Sequence, residues 1–396
     1  MATSKLRLGV GLISVGWMGR LHTRSYKAIP ERFPELGVEP RLVIAADAVA
    51  DVAQQAVDHL GYERATTDYR EVLADPEVDV VSICAPNVLH KELALAAAAA
   101  GKPFWIEKPM GRNLAESAEI ARAASDVGLV TSVGFNYRNA PAIAYSRDLI
   151  ARGELGTITN VRVSFLADYA SDPEGALTWR FERDRAGSGV LGDLLSHGFD
   201  LATHLVGDID AVSATTGTYI TERAKPASAN ASHFSTSAGG EKKPVENEDV
   251  ALVIATFASG AIGAFEASRI AVGPRAEYVI EVYGTEGSLR WDFQRMNELQ
   301  VSLRREAHHG YLTLYMEPGM GEYARFQPGA GTAMGFDDLK TIEAAKFLTS
   351  VLTGEQCGPS TQHGLAAARV VDAVERSAQL KARVSVTHSS VGRDGV

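Results

Sequence analysis

The stretch "GLISVGWMG", Gly11–Gly19, decides the fold. It follows the apolar run "LRLGV" and precedes "RLHTRSYKAI", the layout of a strand, a tight turn and a helix. A dinucleotide-binding turn has the spacing G-x-G-x-x-G: one glycine for the turn, one for close approach of backbone to pyrophosphate, one for helix–strand packing. Gly16 and Gly19 stand at the second and third positions, and Ser14 stands at the first. Serine there either keeps φ negative or accepts strain of roughly 1 kcal/mol or more. Its hydroxyl can bond a phosphate or nearby backbone. A plain strand-to-helix turn is the competing reading, and the spacing alone does not separate the two.

The surroundings favour the nucleotide site. Apolar runs and helical patterns alternate from residue 6 onward: strands "LRLGVGLI", "RLVIAAD", "DVVSICAP", "KPFWIEKP" and "LVTSVGFN", with helices near 17–29, in "AVADVAQQAVDHLG", "DYREVLADPEV", "HKELALAAAAAG" and "NLAESAEIARAASDVG". Such alternation predicts an α/β Rossmann domain, a doubly wound parallel sheet, over residues 1–138. The turn then opens the first βαβ unit, where pyrophosphate would meet a helix N-terminus. Asp47 ends the second strand, where a carboxylate accepts from ribose hydroxyls and repels a 2′-phosphate; NAD is therefore expected over NADP. A helix N-cap is a second role open to Asp47.

The rhythm changes after about residue 140. "TITNVRVSFLADY", "DVALVIATF", "GAIGAFEASRI", "EYVIEVYG", "SLRWDF" and "ELQVSLRR" alternate with period two and are separated by short turns. They predict an α+β domain over 139–396 with a large, mainly antiparallel open sheet. Helices are expected near 141–153, 190–206, 336–353 and 362–380, and 224–248 reads as a long polar loop.

The chain has 396 residues and a net charge of −10, so nucleic acid and an anionic membrane surface are poor partners. No signal-peptide layout or membrane-length apolar run is visible, and the only cysteines, Cys84 and Cys357, read as free thiols; a cytoplasmic protein is expected.

Three residues form a candidate catalytic set. Asp193 and His197 are four apart, so an ordinary helix puts them on one face, where the carboxylate can orient the ring. Lys108 ends a strand at the carboxyl edge, where ligands of such sheets bind. An alcohol dehydrogenase needs a group to take the hydroxyl proton and a charge to steady the alkoxide. A solvated helix pair is the plainer reading of Asp193 and His197. Asp200 and His204 continue the stripe, but no third ligand cluster accompanies them, so no metal is expected. His22 and His204 read as packed or hydrogen-bonded, Trp17 and Met18 as a cover for the cofactor or as packing. A cis Lys108–Pro109 bond would aim the lysine.

"EKP" at 107–109, "PNVLH" at 86–90, "GFNYR" at 134–138 and "GDLLSHGFDLATH" at 192–204 together resemble the glucose-fructose oxidoreductase / inositol dehydrogenase / rhizopine catabolism family over nearly the whole chain. "TWRFERDRAGSGVLGDLLSH" is most similar to levoglucosan dehydrogenases and related pyranoside and cyclitol dehydrogenases. Ser14 departs from the family's glycine. The resemblance implies that Lys108 and His197 meet the reacting hydroxyl beside Asp193. His197 is read as base and Lys108 as anchor, though either can take the proton. The cofactor, NAD, is expected on Ser14, Val15, Gly16, Trp17, Met18, Asp47, Ala85, Pro86, Asn87, His90, Glu107, Lys108, Asn136, Trp179 and Arg180. The substrate is expected on Lys108, Tyr137, Arg138, Asp168, Asp193 and His197. Aromatic rings among paired donors and acceptors suit a small neutral cyclic sugar or polyol. The resemblance makes levoglucosan, at C3, the first candidate, with inositols and simple pyranoses next. The resemblance also implies a homo-oligomer, a dimer or tetramer, formed through the second-domain sheet. A glycosidase using NAD transiently and a non-catalytic dinucleotide sensor are the rival readings.

Overall fold

The computed structural model describes residues 6–225, 240–305 and 310–387. Strands β1 (Leu6–Ile13), β2 (Val38–Ala46), β3 (Arg64–Thr66), β4 (Val80–Ile83), β5 (Phe104–Ile106) and β6 (Thr131–Val133) form a parallel sheet in the order β3-β2-β1-β4-β5-β6. The order reverses between β1 and β4, which opens a crevice at their carboxyl ends, beside Ser14. From Leu8 onward every residue of β1 is buried, as expected for a strand covered on both faces. Helices α1 (Trp17–Arg32), α2 (Ala50–Gln55), α3 (Tyr69–Ala74), α4 (Asn87–Ala99) and α5 (Leu114–Asp126) make the crossovers.

Two local departures have simple causes. Helix α1 runs past Pro30, because a proline in the last turn removes only one backbone hydrogen bond. After α2 the chain widens into a π turn, Ala56–Leu60, before left-handed Gly61 stops it.

The second half adds α6 (Pro141–Ala151), β7 (Ile158–Ala167), α7 (Arg183–Ala186), a π turn (Leu191–Leu195), α8 (Ser196–Val206) and β8 (Ile209–Gly217). Then come β9 (Glu222–Ala224), β10 (Lys242–Pro244), β11 (Val250–Phe257), β12 (Ile262–Ser268), β13 (Ala276–Gly284), β14 (Gly287–Asp292), β15 (Glu298–Leu303) and β16 (Leu312–Tyr315). The described residues close with α9 (Phe336–Thr353), α10 (Thr361–Leu380) and β17 (Val384–Ser385). Among the described residues the large sheet has the order β16-β15-β14-β13-β7-β12-β11-β8-β17. Its pairs are antiparallel except β7–β12, which lie parallel because the chain leaves the sheet through α7 and α8 between them. The long loop expected at 224–248 is partly structured: β9 and β10 pair antiparallel at its ends. Residues 226–239 lie outside the described residues.

Helices α6, α8 and α10 pack on strands β14, β7 and β8 respectively. Elsewhere on the sheet, Leu252, Ile254 and Ile262 of β11 and β12 stand exposed. Helix α9 packs on α1 and α10 on α5, so the last helices clamp the two halves together. No helix among the described residues is long and apolar enough to cross a membrane.

Candidate active site

A cleft of about 550 Å³ lies where the carboxyl ends of β1, β4 and β5 face the second half of the chain. At its first end the glycine turn is drawn tight. Ser14 adopts φ 76°, the left-handed region, and its N–H bonds Ala46 O at 2.8 Å. Serine thus takes the strained alternative, imposed by a turn that must close within one residue. A side chain at Gly19 would lie 2.1 Å from Ser14 O, so only glycine lets α1 pack there. Gly16 caps α1 without a side-chain partner, and the nearest atom to where its Cβ would stand is Ser14 Oγ at 4.0 Å. Unpaired first-turn N–H groups and open space above Gly16 fit a pyrophosphate. Trp17 stands exposed at the cleft edge, stacked on Phe336 at 6.0 Å.

Asp47 braces this turn. Its carboxylate accepts from Val15 N at 2.9 Å and Val49 N at 3.1 Å. Val49, not Asp47, is the N-cap of α2. A carboxylate has about four acceptor positions, so bracing leaves two for a ribose.

At the other end, Lys108 follows β5 and precedes a cis bond to Pro109. Its Nζ donates to Asp193 O at 2.8 Å and to Asp193 Oδ1 at 3.1 Å, while the Tyr169 hydroxyl donates to Asp193 Oδ2 at 2.7 Å. Burial works against the Asp193 charge, but Lys108, Arg180 and the Tyr169 hydroxyl outweigh it and hold the carboxyl well below the usual range. His197 sits edge-on to Tyr137, ring centres 4.7 Å apart. Burial first, then the Lys108 charge, pushes its pKa well below the ordinary value, so the ring is neutral at neutral pH.

Beneath Lys108 lies a second charged cluster. Lys340 from α9 meets Glu107 at 2.5 Å and Glu343 at 3.0 Å. Glu107 also meets His22 Nε2 at 3.0 Å, and the His22 ring stacks on Trp105 at 3.4 Å. The buried His90 ring lies between Ala85 O, 2.8 Å from Nε2, and Pro109 O, 2.9 Å from Nδ1, beside the ends of β4 and β5; neutral, it donates to one of the two carbonyls.

Residues 8–135 match the oxidoreductase family, NAD-binding Rossmann fold, and residues 143–290 match the GFO/IDH/MocA C-terminal domain. The chain belongs to the GFO/IDH/MocA family. It is 37% identical to the levoglucosan dehydrogenase of Pseudarthrobacter phenanthrenivorans, over 97% of this chain and 99% of that protein. It is 26% identical to the myo-inositol 2-dehydrogenase of Thermotoga maritima, over 95% and 98%. A solved levoglucosan dehydrogenase in complex with NADH and levoglucosan superposes with a TM-score of 0.90 at 36% identity, over 96% of this chain and all of that one.

In this GFO/IDH/MocA oxidoreductase, an NAD-dependent enzyme, most residues expected at the site do line the cleft. Ser14, Gly16, Trp17, Met18, Ala85, Pro86, Asn87, His90, Glu107, Lys108, Asn136, Trp179 and Arg180 do so, as do Tyr137, Asp168, Asp193 and His197. Three expectations need correction. Arg138 does not line the cleft: its guanidinium grips buried Asp200 through two bonds, at 2.6 and 2.7 Å. That pairing takes Asp200 out of the histidine stripe as well. Val15 is buried and offers its N–H to Asp47 rather than to a ligand. Finally, Asp193 does not orient His197. Asp193 lies in the π turn, where hydrogen bonds run to the fifth residue, so positions four apart no longer superpose. Its oxygens go to Lys108 and Tyr169 instead.

Sequence reasoning missed Thr178, Arg269, Arg275 and Lys340, all of which line the cleft. Lys340 left a signal: with Phe336, Glu343 and Phe347 it falls on one face of α9, an acid–base pair inside an apolar stripe. The others lie outside regular elements and left none.

Proposed function

We propose that the enzyme oxidises a secondary hydroxyl of a small, neutral cyclic sugar or polyol to a ketone, with levoglucosan at C3 the first substrate to test and inositols next. The observation that carries this reading is the junction of neutral His197, Lys108 and the Lys108–Asp193–Tyr169 chain in the same cleft as the glycine turn. The likeness to levoglucosan and inositol dehydrogenases supports the choice of rings.

Bound NAD supplies the acceptor for the electron pair. The rest falls to the chain. His197, neutral, takes the hydroxyl proton; Lys108, held by Asp193, donates to the same oxygen and steadies its developing negative charge. Tyr169 fixes the other Asp193 oxygen, so the lysine stays aimed. Thr178, Tyr137 and Asp168 face the ring. Residues 1–138 serve as the cofactor half and 139–396 as the substrate half of a cytoplasmic enzyme. Two copies meet through the sheet surface that exposes Leu252, Ile254 and Ile262, an apolar patch suited to burial against itself.

The test is a screen of unphosphorylated rings, sugar phosphates and open-chain polyols, reading NADH absorbance. Accumulation of one NADH per ring oxidised, without release of a glycoside, supports the reading. Activity confined to sugar phosphates or acyclic alcohols overturns the ring assignment, and glycoside release without NADH favours the hydrolase.

A further inference from the structure

Strands β7 and β13 pair antiparallel, with Ala167 opposite Ala276 as the last partners. One register step further stand Asp168 and Arg275. They meet at 2.7 Å, and both line the cleft. Asp168 immediately precedes Tyr169, whose hydroxyl holds Asp193, so this pair stands one residue from the reacting network.

The loop that delivers Arg275 is anchored at one end. Arg269 is buried and bonds Asp249 Oδ1 at 2.8 Å and Asn247 Oδ1 at 2.9 Å. Ala271 N bonds Ala167 O at 3.0 Å. Beyond this, Val272 stands exposed and Gly273 takes φ 120°. The Arg275 side chain is 82% exposed, and the Asp168 contact engages one of its five N–H donors.

We propose that Asp168 and Arg275 form a clamp for two adjacent hydroxyls of the substrate ring, with Arg275 as a specificity-determining residue. The inference rests on the reading of the substrate as a hydroxylated ring. Each hydroxyl is both donor and acceptor. A carboxylate beside a guanidinium presents acceptors next to donors, so neighbouring hydroxyls donate to Asp168 and accept from Arg275. The pair is neutral overall, which suits an uncharged ring. An exposed ion pair contributes little to folding, so its removal leaves the enzyme intact for measurement.

The experiment compares the unmodified enzyme with Arg275→Ala and Asp168→Asn. Substrates are levoglucosan, an inositol, and deoxy analogues lacking one of two adjacent hydroxyls. KM, kcat, NADH affinity and the thermal midpoint are measured. Each substitution is expected to raise KM for the full ring at least tenfold, with the loss falling on KM more than on kcat. The analogue lacking the clamped hydroxyl should be a poor substrate of the unmodified enzyme and should lose little more in Arg275→Ala. Unchanged KM in both variants overturns the clamp. So does a loss that follows NADH affinity or the thermal midpoint, or one that is equal for every analogue. If the unmodified enzyme oxidises no ring, the proposed function fails and the clamp fails with it. If it oxidises rings and the variants do so equally well, only the clamp fails.

Discussion

Two lysine-centred clusters sit back to back in this enzyme and differ in access. Lys108 and Asp193, 17% and 31% exposed at the side chain, meet the cleft. Lys340 and Glu343, 1% exposed each, are almost fully buried, Lys340 at the back wall of the cleft and Glu343 behind it, with Glu107 between the two clusters as the residue preceding Lys108. The open cluster is poised for a ligand: one ammonium, one carboxylate and a neutral imidazole. The buried one balances its charges internally: Glu107 is held ionised against the cost of burial by Lys340 and His22, while burial lifts Glu343 to about 7. The difference teaches that two similar sets of residue types are set apart by solvent access: one can meet a ligand, and the other is paired within the fold next to the β5 turn.

Removing each lysine breaks the comparison most sharply. Lys340→Met leaves buried acids without their cation and should cost about 3–5 kcal/mol of stability in denaturant unfolding. Lys108→Met, at the half-open site, should cost far less. Equal losses would mean that both clusters serve the fold.

Activity should show the reverse. Lys108→Ala and His197→Ala are each expected to lower turnover at least about a hundredfold, about 2.7 kcal/mol, with NAD affinity in calorimetry largely kept. Loss of NAD binding in His197→Ala would move that residue out of the reacting set.

The buried cluster should also govern part of the acid sensitivity. Burial, partly offset by the Glu107 bond, brings the His22 pKa down to about 4. Between that value and the ordinary value of about 6.5, the unfolded chain holds a proton that the folded chain refuses, so stability falls on acidification through this window. Glu343, lifted to about 7, acts with the opposite sign, losing stability as pH rises from its ordinary range. The difference between the unmodified enzyme and His22→Gln isolates the histidine. From pH 7 to pH 5 the unmodified enzyme should lose about 2 kcal/mol more than the variant. Parallel pH profiles would remove His22 from the account.

The smallest effect belongs to the cofactor turn, outside both clusters. Ser14→Gly should relieve the left-handed strain and raise stability by about 1 kcal/mol. NAD affinity should change less than tenfold, about 1.4 kcal/mol. Loss of NAD binding would make the Ser14 hydroxyl a required ligand.

The sequence by itself determined what depends on short-range pattern. Alternating periodicity specified the parallel half and the sheet-rich half, because burial of one face or both is written along each segment. The spacing Ser14, Gly16, Gly19 specified the turn, because a close approach of backbone leaves little choice of residue. That Lys108, Asp193 and His197 share one cleft was legible through the strand-end place of Lys108 and the surrounding motifs, not through helical spacing. The partners were not. Asp193 finds Lys108 and Tyr169, 85 and 24 residues away, instead of the histidine four residues on. Arg138 finds Asp200, 62 residues away, and Lys340 finds Glu107, 233 away. Only the tertiary structure decided these. Charge pairing follows distance through space, and a single extra residue in a helical turn, as at Leu191–Leu195, is enough to redirect a side chain that regular spacing had aimed elsewhere.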